Sequence, residues 1–280
     1  MRDKTVVMTG ATSGIGAVAA RRLAQLGARI VFVARDRARA EQSLQALTEL
    51  APGQAHRFHI ADLSRLAEMK RVAALIAGSE ARIDVLVNNA GAMFGAREVT
   101  EDGFERTFAT NHLAYFVMTN LLLERLKAAG GARVICTASA AHQHGPLDLD
   151  DLQSEKDYRA FAVYGRSKLM NILFTRELAN RSTGMGIVAN CLHPGFVATR
   201  FGDASGGAMS ALIRLAKLFA ITPERGAQTI VFLASSPEVA GVTGQYFYKC
   251  RAIAPSLDAR NEANGRRLWA LTTALSGVGR

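Results

Sequence analysis

Short, continuously apolar runs recur along this chain, and each is followed by a stretch with helical period. TVVMT (residues 5–9), RIVFVA (29–34), HRFHI (56–60), IDVLVN (83–88), ARVICT (132–137) and GIVANCL (186–192) are strand-length runs. Between them lie helical stretches at 15–26, 38–50, 63–76, 102–128 with a break near Thr110, and 161–180. A helix over 223–234, a short seventh strand near 245–248 and a terminal helix over 259–274 complete the reading. Strands without polar alternation must be covered on both faces, which means a parallel sheet with helices above and below. Right-handed crossovers then give an α/β doubly wound sheet, the Rossmann fold, of about seven strands. No linker, repeat or low-complexity segment interrupts it, so residues 1–280 read as a single domain.

Such sheets bind ligands outside the carboxyl ends of their strands. The first strand runs into TGATSGIG (9–16), with glycines at positions 10, 14 and 16. Glycine permits positive φ and close backbone approach, and the following helix offers unpaired N–H groups to phosphate. Thr12 and Ser13 add hydroxyl donors. The spacing differs from G-x-G-x-x-G, and no G-K-[ST] of a P-loop follows; a tight strand–helix turn without a ligand is the plain alternative. The second strand ends in VARDR. A carboxylate there would bond both ribose hydroxyls, whereas an arginine suits a 2′-phosphate. Arg35 follows the last strand residue, Ala34, and Asp36 is placed to cap the next helix. NADP(H) is therefore favoured over NAD(H).

Downstream, Tyr164 and Lys168 are four residues apart and share one helix face. A phenol is a poor base at neutral pH, and a neighbouring ammonium lowers its pKa. Tyr164 would then pass a proton to or from a substrate oxygen that Ser139, just past the fifth strand, also binds. Each signal is weak by itself; their order on these elements gives them weight.

Taken together, TGATSGIG, ADL (61–63), NNAG (88–91), Asn111 in TNHLAYF, Ser139 in TASAAH, YGRSK (164–168) and HPGFVATR (193–200) resemble the short-chain dehydrogenase/reductase family over nearly the whole chain. DLQSEKDY (151–158), NILFTREL, GQYFY (244–248) and the terminal RRLWAL are similar to its retinol dehydrogenase-like branch. The resemblance implies a catalytic tetrad of Asn111, Ser139, Tyr164 and Lys168. Tyr164 would be the general acid/base, and Lys168 would hold the nicotinamide ribose. Asn111 would fix a water in the proton path. It also implies cofactor contacts from Gly10, Ser13, Gly14, Ile15 and Gly16 at the pyrophosphate and adenosine side. Asp62 and Leu63 would meet the adenine, and Asn89, Ala90 and Gly91 the adenosine ribose. Pro194, Gly195, Val197 and Thr199 would hold the carboxamide end. The activity expected is NAD(P)-dependent hydride transfer between nicotinamide and a lipophilic carbonyl or alcohol. A homodimer or homotetramer through the helices at 102–128 and 161–180 is expected as well. A dinucleotide-sensing protein without turnover, an NAD-preferring alcohol dehydrogenase and a methyltransferase are the rivals. The Tyr–Lys pair argues against the first and the last.

Composition excludes little more. The net charge is +10, yet no block of five or six basic residues occurs and no zinc-finger spacing is present, so a solvated basic surface is expected rather than a nucleic-acid partner. Cys136, Cys191 and Cys250 are widely spaced and odd in number, which reads as free thiols of a reducing, cytoplasmic compartment. No metal site is expected: His142, His144 and His193 share no ligand spacing, and Asp150 and Asp151 read as solvated loop charges. No run reaches the length of a membrane span and no signal peptide is read at the start. Residues 201–221 (GDASGG, then MSALIRLAKLFAI) read as a substrate lid; a packed helix, or a shallow membrane-surface helix using Arg214 and Lys217, are the alternatives.

Overall fold

A computed structural model describes residues 1–195 and 221–279 of the protein. Its strands are β1 (Thr5–Thr9), β2 (Arg29–Ala34), β3 (Arg57–Ile60), β4 (Val85–Asn88), β5 (Ala132–Thr137), β6 (Ile187–Leu192), β7 (Tyr246–Tyr248) and β8 (Arg251–Ile253). They form one sheet in the order β3-β2-β1-β4-β5-β6-β7-β8. The first seven run parallel, and β8 pairs antiparallel with β7. The eighth strand exceeds the seven expected. It follows a two-residue turn, Lys249–Cys250, in which both residues have positive φ (48° and 60°), the geometry of a type I′ hairpin. Lys-Cys carries none of the Asn or Gly signal that normally announces such a turn.

The helices are α1 (Gly14–Gln25), α2 (Arg37–Leu50), α3 (Leu66–Ser79), α4 (Arg106–Phe108), α5 (Ala114–Leu121), α6 (Leu123–Lys127), α7 (Ala160–Arg181), α8 (Pro223–Ser235) and α9 (Glu262–Ser276). Alternate strand residues face opposite layers. Val7, Leu86, Val134, Cys136, Ala189 and Tyr246 pack with α3, α5, α7 and α9. Val6, Met8, Val85, Val87, Ile135 and Phe247 pack with α1 and α8.

Three local departures have identifiable causes. The third helix starts at Leu66 rather than 63, because Asp62 Oδ1 accepts from Ser64 N (2.9 Å) and Oγ (2.8 Å) and holds a turn there. The break near Thr110 is a π-helical turn, Ala109–Leu113, between α4 and α5. Asp151 is buried rather than solvated, accepting from Glu155 N (2.8 Å) and Lys156 N (3.1 Å).

α9 lies against α5 and α7. Its Trp269 packs on Phe116 (ring centroids 4.9 Å) and stacks on Phe174 (5.7 Å, 17°). The helices expected to meet a second copy thus carry an element of their own chain. Among the described residues no helix is long and apolar enough to cross a membrane, and no cluster of three His, Cys, Asp or Glu is placed to hold a metal.

Candidate active site

The site is assembled at the carboxyl ends of β1, β4 and β5. Gly10 has φ +70°, and a Cβ there would lie 2.9 Å from the Ala90 backbone. A Cβ on Gly16 would fall 2.0 Å from the Gly10 carbonyl oxygen, so the first turn of α1 can approach the loop only as glycine. Asn89 ties the loop to its neighbours. Its Nδ2 donates to the Gly10 carbonyl (3.1 Å) and faces that of Thr9 (3.3 Å), while its Oδ1 accepts from Thr137 Oγ1 (3.2 Å). In return the Thr9 hydroxyl accepts from the amides of Asn89 and Ala90, each at 3.0 Å. These bonds lace three strand ends together and hold the glycine turn open from behind.

In front of that turn, Ser13 is exposed, has extended backbone, and makes no side-chain capping bond to α1. The amides of the first turn have no intrahelical partner, and at this exposed helix N-terminus an anion is favoured by the N–H groups and the helix dipole. Gly14, at φ +54°, and Ile15 complete the bend. At the end of β2, Asp36 is engaged as the cap of α2, accepting from Arg39 N at 3.0 Å. Arg35 beside it is exposed and has no acid paired with it among the described residues. Asp62 is exposed and Leu63 buried at the end of β3. This set fits a dinucleotide: an exposed helix N-terminus at a backbone with no room for side chains, and an exposed cation at the end of β2. Pro194 and Gly195 (φ +89°) follow β6, with Gly195 beside Ile221 and Tyr248. Val197, Thr199 and residues 200–220 of the expected lid lie outside the described residues.

Asn111, Ser139, Tyr164 and Lys168 converge next to the glycine turn, on the far side of the Asn88–Gly91 segment. Ser139 caps the 3-10 turn Ala140–His144, accepting from Ala141 N (3.2 Å), and its hydroxyl hydrogen-bonds Tyr164. Lys168 Nζ donates to the Thr137 carbonyl (3.1 Å) and lies 5.6 Å from the ring centroids of both Tyr164 and Tyr115. Asn111 occupies the π-helical turn, fully buried. Its amide grips both backbone groups of Ala92, each at 2.8 Å, and Nδ2 also donates to Ser167 Oγ (3.0 Å). Gly91 sits between, since a Cβ there would lie 3.1 Å from Lys168 Nζ and 3.2 Å from Asn111 Oδ1. NNAG therefore works on two fronts: Asn89 braces the glycine turn, and Gly91 leaves room for the lysine.

The electrostatics differ from the sequence expectation. Burial pushes the Tyr164 phenol up to about 12, and the Ser139 hydrogen bond opposes it. Burial likewise pulls the Lys168 amine down to about 7, opposed by Cys136. Both charged forms lose water under the same roof, so burial moves each group toward its neutral form. Tyr164 holds its proton at neutral pH.

Several residues of this site escaped the sequence reading. Thr9 and Thr137 sit inside strand-end strings already noted, and Ser167 sits inside YGRSK. His142 is buried behind Ser139: its Nδ1 donates to the Ser139 carbonyl (2.8 Å) and its Nε2 accepts from Ser256 N (3.2 Å). Arg166 fastens α7 to the preceding segment, donating to the carbonyls of Pro146 (2.9 Å) and Asp151 (3.0 Å). These partners come from remote chain segments, and no local pattern marks them.

The family model for short chain dehydrogenase matches residues 4–209, which include every one of these site residues except Tyr248, Ile221 and Ser256. The chain belongs to the short chain dehydrogenase family. It is 40% identical to human retinol dehydrogenase 14 over 99% of this chain and 88% of that protein. A solved structure of an uncharacterized protein from Mycobacterium paratuberculosis is 32% identical, with a TM-score of 0.78 over 99% of this chain and 94% of that one. A structure from Beutenbergia cavernae, named as an NAD(P) dependent gluconate 5-dehydrogenase and holding NADP at low occupancy, is 29% identical, with a TM-score of 0.69 over 89% and 96% of the two chains. As a short chain dehydrogenase of retinol dehydrogenase-like type, the protein is an oxidoreductase acting on CH–OH groups with NAD(P) as acceptor.

Proposed function

We propose that the protein is an NADP(H)-dependent oxidoreductase that interconverts a lipophilic carbonyl compound and its alcohol, with Tyr164 as the proton donor and acceptor. The observation that carries the reading is the meeting of Ser139, Tyr164 and Lys168 near a glycine turn that opens α1 at an exposed, uncapped N-terminus. Arg35, exposed at the end of β2 while Asp36 is occupied with capping, supports the 2′-phosphorylated cofactor. The NADP held by the Beutenbergia cavernae relative agrees with that preference.

Bound nicotinamide cofactor supplies or accepts the hydride at its ring. The chain's own residues manage the oxygen. Ser139 donates a hydrogen bond to the substrate oxygen and fixes it beside Tyr164. As negative charge develops on that oxygen, the Tyr164 hydroxyl passes its proton across. Lys168, a single helical turn away, faces the phenol ring and lessens the cost of the charge left behind. A protonated phenol in the resting site suits carbonyl reduction. The test is NADPH and NADH oxidation with a panel of aldehydes and ketones. Tyr164→Phe should lower turnover at least about a hundredfold, the usual contribution of a positioned acid, while leaving NADPH affinity nearly intact. Persistent turnover in that variant removes Tyr164 from the reaction.

A further inference from the structure

A buried chain of hydrogen bonds runs from α9 to the turn that carries Asn111. Asn171 on α7 donates from Nδ2 to the main-chain carbonyl of Asn111 (2.9 Å). Its Oδ1 faces His112 Nδ1 (3.3 Å), and His112 Nε2 faces Thr272 Oγ1 on α9 (3.2 Å). Asn111, His112, Asn171 and Thr272 all have zero solvent exposure.

Only one neutral arrangement of protons satisfies this chain. Asn171 must present nitrogen to the Asn111 carbonyl, because an oxygen there would oppose an oxygen. Its own oxygen then faces the imidazole, so His112 Nδ1 carries the hydrogen. Burial holds the ring neutral, with its pKa pulled down to about 4. Nε2 is therefore bare and accepts from the Thr272 hydroxyl, which otherwise donates to the Leu268 carbonyl (2.8 Å). The Asn111 carbonyl thus sets the orientation of Asn171, Asn171 sets the tautomer, and Thr272 completes the chain by turning its one proton to Nε2 rather than to Leu268.

The far end of the chain bears on the candidate site. The Asn111 amide grips Ala92 by both backbone groups, and Asn111 Oδ1 and Lys168 Nζ flank the bare Cα of Gly91. A displaced Asn111 carbonyl moves the amide, and with it the wall against Lys168. A side chain inserted into the helical ladder at a π turn gives that displacement an easy route.

We propose that Thr272, His112 and Asn171 are positioning residues through which the C-terminal helix α9 sets Asn111 and the space around Lys168. The effect on turnover rests on the oxidoreductase reading above; the proton arrangement does not. Thr272→Val keeps the branched shape and removes the hydroxyl, whereas Thr272→Ser keeps the hydroxyl. With NADPH and the best carbonyl of the panel, Thr272→Val lowers kcat by about tenfold, in keeping with loss of one buried hydrogen-bond partner. KM for NADPH stays within about twofold, the pH profile of kcat shifts, and Thr272→Ser restores both. Equal kcat and equal pH profiles in the two variants, with only their melting temperatures lowered, overturn the proposal. Nitrogen-15 spectra of the wild-type histidines supply a reading that needs neither turnover nor a variant. His112 in the Nδ1–H form supports the arrangement, and a ring that is protonated or Nε2–H overturns it. If no carbonyl is turned over by the wild type, the functional reading fails and these spectra still decide the relay.

Discussion

Replacing Lys168 with methionine should make the folded protein more stable at neutral pH while removing its activity. The amine is 2% exposed, lies 5.6 Å from the centroids of two tyrosine rings and, among the described residues, donates to one carbonyl, that of Thr137. Its pKa falls from an ordinary 10.5 to about 7 because burial strips water from the charged form. At 1.36 kcal/mol per tenfold, that depression corresponds to roughly 5 kcal/mol against the folded state wherever the unfolded chain carries the charge. The sign follows from proton binding. Between about pH 7 and 10.5 the unfolded chain binds the proton and the folded chain does not, so stability rises with pH across that window. Below about pH 7 both states bind it and the full cost is present. Methionine removes this cost and fills similar volume, but leaves the Thr137 carbonyl without a partner, a loss of about 1–3 kcal/mol. The net gain at neutral pH is roughly 2–4 kcal/mol. Urea unfolding of wild type and Lys168→Met in parallel from about pH 6 to 10 measures it, since other titrating groups cancel in the difference. The gap should narrow steadily above about pH 7. A gap independent of pH, or a variant less stable than wild type at neutral pH, would refute a buried, reluctantly charged amine.

Three further outcomes follow from the geometry. Gly16→Ala places a methyl 2.0 Å from the Gly10 carbonyl oxygen, so the turn must open; NADPH affinity should drop at least about tenfold in fluorescence titration, with several kcal/mol lost in unfolding. Arg35→Ala should weaken NADPH by about tenfold or more, the scale of a charge-assisted hydrogen bond, and leave NADH unchanged, so equal losses for both cofactors would disprove the assignment. Trp269→Ala removes the ring that packs on Phe116 and Phe174 and should cost about 3–5 kcal/mol by urea unfolding; a near-neutral change would mean that α9 is only loosely attached.

Much of this protein was legible before any tertiary contact was known. Continuous apolar runs such as TVVMT and RIVFVA set a parallel sheet covered on both faces, because no strand residue could be left to water. The three glycines of TGATSGIG set a strand–helix bend, and the four-residue spacing of Tyr164 and Lys168 set their common face, since both follow from local backbone geometry. Even the break near Thr110 was visible as a fault in the helical pattern, and it became the π turn of Asn111.

What the chain could not reveal residue by residue were relations between distant segments. Asn89 braces Gly10 from the next strand, a role its motif did not announce; Asp151 reads as solvated and is buried. His142 meets Ser256, and Thr272 meets His112, across 114 and 160 residues of sequence. The charge states of Tyr164 and Lys168 belong to this second kind. Sequence spacing sets how near a phenol and an amine can lie, but the water excluded around them depends on every layer packed above, and burial here moves each toward its neutral form.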